Sequence, residues 1–168
     1  EKLIKKQSSN LEIENFQMKL SEMYRQKRLI HEKSDYTFTD KTLENFFYIG
    51  LLKEIFPHAK IINCKRSPLS SIMSILQNNL PGVPWAHNLK HIFTYFDIYY
   101  KIINNFKKKF PNFIFELNLD KLVNNPEIES QKLMEFCDLP WDKKCLEFYK
   151  RKDLISKTTS NIQIRKAI

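Results

Sequence analysis

Apolar and polar positions along this chain change period several times, and each change marks an element. Phe16, Leu20, Met23 and Tyr24 recur at i, i+4, i+7 and i+8 behind Ser9 and Asn10, which suit a helix N-terminus. The basic run from Arg25 to Arg28 suits the opposite end, so the spacing predicts a helix over 10–29. Tyr36-Thr37-Phe38-Thr39 is β-prone and leads into a helix over 42–56 that is apolar on nearly every side, through Leu43, Phe46, Phe47, Ile49, Leu51, Leu52, Ile55 and Phe56. Such a helix is buried on more than one face. Pro57 stops it, and residues 60–64 read as a short buried strand.

Ser67-Pro68 restarts helix, with Ser67 as cap and Pro68 at the first helical position, and the helix runs to about residue 79 before a Leu80-Pro81-Gly82-Val83-Pro84 loop. A long helix follows over 87–109, with Leu89, Ile92, Phe93, Phe96 and Tyr100 as its stripe and Lys107-Lys108-Lys109 at its end. Phe113, Phe115, Leu117 and Leu119 alternate with Ile114, Glu116 and Asn118, the period of a strand. Asn125-Pro126 opens a helix to about Cys137, Leu139-Pro140-Trp141 turns the chain, and Asp142 caps a last short helix to about Tyr149. The tail over 150–168 is basic and weakly periodic. Strand, helix, strand, helix, helix, strand, helix predicts an α/β domain of three layers, a parallel sheet with helices on its faces.

Composition narrows the chemistry. Among 168 residues there are two glycines, Gly50 and Gly82, far apart in the chain. A Gly-x-Gly-x-x-Gly dinucleotide loop and a Gly-x-x-x-x-Gly-Lys phosphate loop each need two glycines in one turn, so neither motif is in this chain. The 28 Lys and Arg against 19 Asp and Glu leave a net charge of +9, which points to an anionic partner, although a codon bias toward Lys, Ile and Asn gives the same excess. Three cysteines, Cys64, Cys137 and Cys145, include no C-x-x-C pair, so a reducing, cytoplasmic setting is expected rather than a disulfide framework or a zinc site. No apolar run has the length of a membrane span.

In open parallel sheets, ligands sit at the carboxyl ends of the strands, where crossover helices present free N–H groups. Lys41 follows the first expected strand, and Lys65 and Arg66 follow the second, directly before a helix N-terminus. Right-handed crossovers place Lys41 and Arg66 on the same rim. Arginine offers a fixed fork of donors for two oxygens and lysine a compact charge that can follow a moving group, a pair suited to phosphate or sulfate. Ser70, Ser71 and Ser74 add hydroxyls on one helical face. The plainer alternative is a solvated sheet edge with serines as surface filler. His87 and His91 stand at i and i+4, but Asn88 occupies the place where a zinc protease carries its glutamate, and no metal is expected. The aromatics Phe93, Tyr95, Phe96, Tyr99 and Tyr100 have helical spacing and read as packing rather than a base-stacking platform.

Phe38-Thr39-Asp40-Lys41-Thr42-Leu43-Glu44-Asn45-Phe46 followed by Phe56-Pro57-His58-Ala59-Lys60-Ile61-Ile62-Asn63-Cys64-Lys65-Arg66-Ser67-Pro68 resembles the sulfotransferases that use 3′-phosphoadenosine 5′-phosphosulfate (PAPS). The likeness is greatest to bacterial members fused to tetratricopeptide repeats, with tyrosylprotein sulfotransferases as more distant relatives. It continues through residues 117–123, through Phe136-Cys137-Asp138-Leu139-Pro140-Trp141-Asp142, and from Thr158 to Ile168, covering about residues 20–168.

The resemblance implies a P-loop NTPase-like sulfotransferase fold, with residues 1–168 as the central and C-terminal part of one domain. It implies transfer of a sulfuryl group from PAPS to a hydroxyl or amine acceptor, without a metal. Lys41 falls where the family places a lysine that stabilises charge on the transferring group. Arg66 and Ser74 fall on the arginine and serine that hold the 3′-phosphate, and Ser160 and Lys166 fall in the segment that closes over the nucleotide. Three departures stand out: Leu119 replaces a common tyrosine, Asn78 stands where the protein-tyrosine branch has a second arginine, and the Gly- and Arg-containing phosphosulfate loop is not in this sequence. That loop is expected before position 1, as tetratricopeptide repeats are in a full-length protein, and this chain alone is expected to be inactive. Two other classes stay open, a P-loop nucleotide kinase and a basic module for nucleic acid or an anionic surface.

Overall fold

The computed structural model describes residues 10–26, 39–78 and 80–150, and the chain divides into two compact units. The first comprises the described residues through Ala59 together with Ile98–Lys109; the second comprises the described residues of Lys60–Asp97 and those from Phe110 onward. Helix and strand are mixed, and the described strands form a small parallel sheet, so the α/β class is observed.

In the first unit, α1 spans Asn10–Gln26, with Glu12 in its first turn and Arg25 in its last, each opposite in sign to the helix dipole end it faces. The Gln17 side-chain amide donates to the backbone carbonyl of Ile55 and Tyr24 Oη donates to Asp40 Oδ2 at 3.2 Å, so α1 is held to later parts of the unit by polar contacts. The helix expected over 42–56 is not one α-helix. A 3₁₀ helix over Leu43–Tyr48 precedes α2, Ile49–Ile55. Thr42 is extended (φ −116°, ψ 138°) and its hydroxyl donates to Asp40 Oδ1 at 2.9 Å, so it does not cap the first turn. Phe46, Ile49 and Ile55 are buried, whereas Leu43, Phe47 and Tyr48 are exposed, so only part of this apolar surface is covered.

Phe46 meets Tyr99 edge-on at 5.4 Å, and Ile103 is also buried in this unit. A methyl group at Gly50 would lie 3.1 Å from the Phe106 ring, so glycine permits a close approach that alanine would crowd. The β-prone residues 36–38 lie outside the described residues, and Thr39 is irregular.

In the second unit, β1 (Ile61–Lys65) pairs in parallel with β2 (Ile114–Asn118), from Ile61 opposite Ile114 to Lys65 opposite Asn118. Period-two alternation puts Ile61, Asn63 and Lys65 with Ile114, Glu116 and Asn118 on one face, and Ile62, Cys64, Phe115 and Leu117 on the other. Asn63 is buried while Ile62 and Cys64 are exposed, so β1 is half-buried, not the fully buried strand its run suggests.

Helix α3, Pro68–Gln77, starts with Pro68 in its first turn and buries Ile72. A 3₁₀ turn, Pro84–His87, precedes α4, Leu89–Lys109, which is divided between the units after Asp97. Asn88 Oδ1 accepts from the His91 backbone N–H at 3.2 Å and caps α4. Trp85 stacks on Tyr95 at 3.8 Å with an interplanar angle of 9°.

After β2 the chain enters α5, Leu119–Asn124, capped by Asn118 Oδ1 accepting from Lys121 N–H at 3.1 Å, and then α6, Pro126–Phe136. Phe136 packs on Phe115 at 5.1 Å, laying α6 on β2. Helix α6 ends in a Schellman motif, in which Leu139 N–H donates to Met134 O at 3.0 Å and Asp138 N–H to Glu135 O at 3.1 Å. Asp138 takes the left-handed position (φ 55°) usually filled by glycine. A final 3₁₀ stretch, Lys143–Lys150, opens on Asp142 Oδ1, which accepts from Lys144 N–H at 2.8 Å.

Candidate functional site

Arg66 immediately follows the last residue of β1, where the strand gives way to α3. Ser67 was the expected cap, but its side chain caps nothing; its backbone carbonyl instead accepts from Ser71 N–H at 3.0 Å and from Ser71 Oγ at 3.2 Å. The first-turn N–H groups of α3 are thus not closed off by a capping side chain, which suits them to an anion.

The guanidinium of Arg66 lies against this first turn. Its Nε donates to Ser71 Oγ at 3.0 Å and its Nη2 to Ser70 O at 2.8 Å. No carboxylate is among these partners, so the positive charge stays unneutralised by them. Ser74, one turn further along α3, is half-buried. Asn78 Nδ2 donates to Ser74 O at 2.6 Å and to Ser74 Oγ at 3.4 Å, so Asn78 closes the helix end.

Lys65, grouped with Arg66 on sequence, has a different place. Its Nζ donates to Glu116 Oε1 at 3.2 Å, across the sheet, so it has a carboxylate partner that Arg66 lacks among its hydrogen bonds. Sequence alone could not show the pairing, because it depends on the register that sets Asn63 opposite Glu116.

Lys41 stands in the first unit, exposed, in the irregular stretch before the 3₁₀ helix, and joins no ion pair among the described residues. Its neighbour Asp40 is fixed from two sides, by Tyr24 Oη and Thr42 Oγ1. Burial foremost, then the Asp40 charge and hydrogen bond, raises the Tyr24 phenol above its ordinary pKa of 10.0, so the bond that anchors this stretch keeps its proton through neutral pH. Ser160 and Lys166 lie outside the described residues.

His87 Nε2 lies 3.2 Å from Leu80 O, and His91 enters the cap of α4 through its backbone. Among the described residues no group of three or more His, Cys, Asp and Glu is arranged to hold a metal ion. No helix of the described residues is long and apolar enough to cross a membrane.

An exposed arginine at a strand end, an uncapped helix start and hydroxyls along the same helix are the groups that would suit an anion. The sequence pattern of the sulfotransferase family matches residues 3–143, which include all of these features. The chain belongs to the sulfotransferase family. The chain is also similar to an uncharacterized protein of Aquifex aeolicus (strain VF5), with 38% identity over 133 residues, which is 77% of this chain. The chain spans 17% of the length of that relative.

Proposed function

We propose that this chain takes part in moving a sulfuryl group from PAPS to a hydroxyl or amine acceptor. Arg66 and Ser74 hold the 3′-phosphate of the donor, and Lys41 neutralises charge on the departing phosphate. Ser160 and Lys166 close over the nucleotide. Residues 1–168 supply the central and C-terminal part of a three-layer, P-loop-like sulfotransferase domain. The observation that carries this reading is the placement of Arg66, exposed at the carboxyl end of β1 and bonded to the first turn of the α3 helix that bears Ser74.

The residues present fit a dianionic phosphate. Arginine supplies planar paired donors, the start of α3 supplies N–H groups and a positive dipole end, and Ser74 supplies a hydroxyl. PAPS, when bound, supplies an activated sulfuryl group with a phosphate as leaving group. The chain's own contribution is to fix that nucleotide and to set cations where negative charge develops, so catalysis is positioning plus electrostatic stabilisation.

Adenosine 3′,5′-bisphosphate, the desulfated donor, tests the site by calorimetry on the intact protein. Arg66→Ala is expected to weaken its binding by about tenfold or more, the scale of a lost charge-assisted hydrogen bond. Equal affinities for wild type and variant would sink the assignment.

A further inference from the structure

Given the reading of Arg66 as a phosphate ligand, on which this step rests, its guanidinium must be presented in one orientation. Two parallel N–H···O bonds form only when the fork and the phosphate oxygens are aligned. An exposed arginine side chain samples many rotamers, and fixing one of them costs entropy at the moment of binding.

The structure shows what restrains it. Arg66 uses one edge of its guanidinium on its own helix, with Nε donating to Ser71 Oγ at 3.0 Å and Nη2 to Ser70 O at 2.8 Å. The Ser71 hydroxyl in turn donates to Ser67 O at 3.2 Å. A hydroxyl has one hydrogen and two lone pairs, so directing the hydrogen at Ser67 O turns the lone pairs toward the arginine. Two of the five guanidinium N–H groups are engaged in this way, and the end-on edge, Nη1 with the second Nη2 hydrogen, takes part in neither bond.

We propose that Ser71 is a positioning residue: its hydroxyl locks Arg66 by the Nε edge, so that the end-on edge is held ready for the 3′-phosphate before the nucleotide arrives. Ser70 shares the task only through its backbone carbonyl, so its side chain is dispensable.

Calorimetry on the intact protein with adenosine 3′,5′-bisphosphate and with adenosine 5′-monophosphate, which lacks the 3′-phosphate, tests this. Ser71→Ala is expected to weaken bisphosphate binding by about 3- to 10-fold, the net scale of one ordinary intramolecular hydrogen bond. Monophosphate binding should stay within about twofold of wild type, because a helper of the 3′-phosphate ligand is silent when that phosphate is missing. Ser71→Thr should restore bisphosphate affinity to within about twofold, Ser70→Ala should change nothing, and Ser71→Ala should add no loss in an Arg66→Ala background.

If Arg66→Ala weakens binding while Ser71→Ala does not, the positioning role falls and the proposed function stands. If Arg66→Ala is silent, the proposed function falls and takes this role with it. Equal loss of both nucleotides in Ser71→Ala, or a threonine that fails to restore affinity, would show the hydroxyl supporting the helix in general and would also overturn the role.

Discussion

Residues at the end of β1 show how neighbours in sequence acquire unlike properties. Lys65 is paired with Glu116, Arg66 is turned onto Ser71 and Ser70, and Cys64 lies on the opposite face of the strand from Lys65. Cys64 keeps an exposed surface, yet burial pushes its thiol above the ordinary pKa of 9.0. Alkylation proceeds through the thiolate, so a raised pKa means less reactive anion near neutrality and more only as pH climbs past that of an ordinary thiol. Iodoacetamide should therefore modify Cys64 more slowly than free cysteine at about pH 8, with the gap closing in more alkaline buffer. Peptide mapping by mass spectrometry reads the rate, and equal rates at the lower pH would contradict it.

Elements divide into those whose ends are written locally and those decided by distant partners. The start of α3 at Pro68, the cap of the last 3₁₀ stretch by Asp142 and the alternation of β2 were all legible in the sequence, because each depends on residues within one turn or one pleat. The 3₁₀ helix over Leu43–Tyr48 was not legible, since Thr42 gives its hydroxyl to Asp40 instead of to the helix. Helix α5 was missed as well, although Asn118 three residues before Lys121 was a usable capping signal. For the site, the residue types at Arg66 and Ser74 were readable, but the Ser71 relay and the pairing of Lys65 with Glu116 depend on geometry.

The end of α6 gives a test at this scale. Asp138 holds a left-handed backbone and also bonds Lys60 at 2.6 Å. Substitution by glycine or by alanine removes the ion pair alike, but only alanine keeps the steric cost of the left-handed turn. Asp138→Gly is therefore expected to be more stable than Asp138→Ala by about 1 kcal/mol, read as the difference between their thermal unfolding transitions.

For the whole molecule, the net charge of +9 supplies an attraction for any polyanion, and that attraction falls steeply with salt. A fixed arginine at a single phosphate is distinguished from this background by its difference from alanine, not by its absolute strength. The wild-type to Arg66→Ala affinity ratio for adenosine 3′,5′-bisphosphate should accordingly persist within about threefold when salt is raised from about 50 to 200 mM. A ratio that collapses toward one would mean that diffuse charge, and not the end of β1, gathers the nucleotide.

The near-parallel stack of Trp85 on Tyr95 also makes the protein readable by light. Both tryptophans of the chain, Trp85 and Trp141, belong to the second unit, one resting on an aromatic ring and the other donating its indole N–H to Ser130 Oγ at 2.9 Å. Indole emission is therefore a reporter of the unit that carries Arg66 and Ser74, and the first unit, with Lys41, is dark at that wavelength.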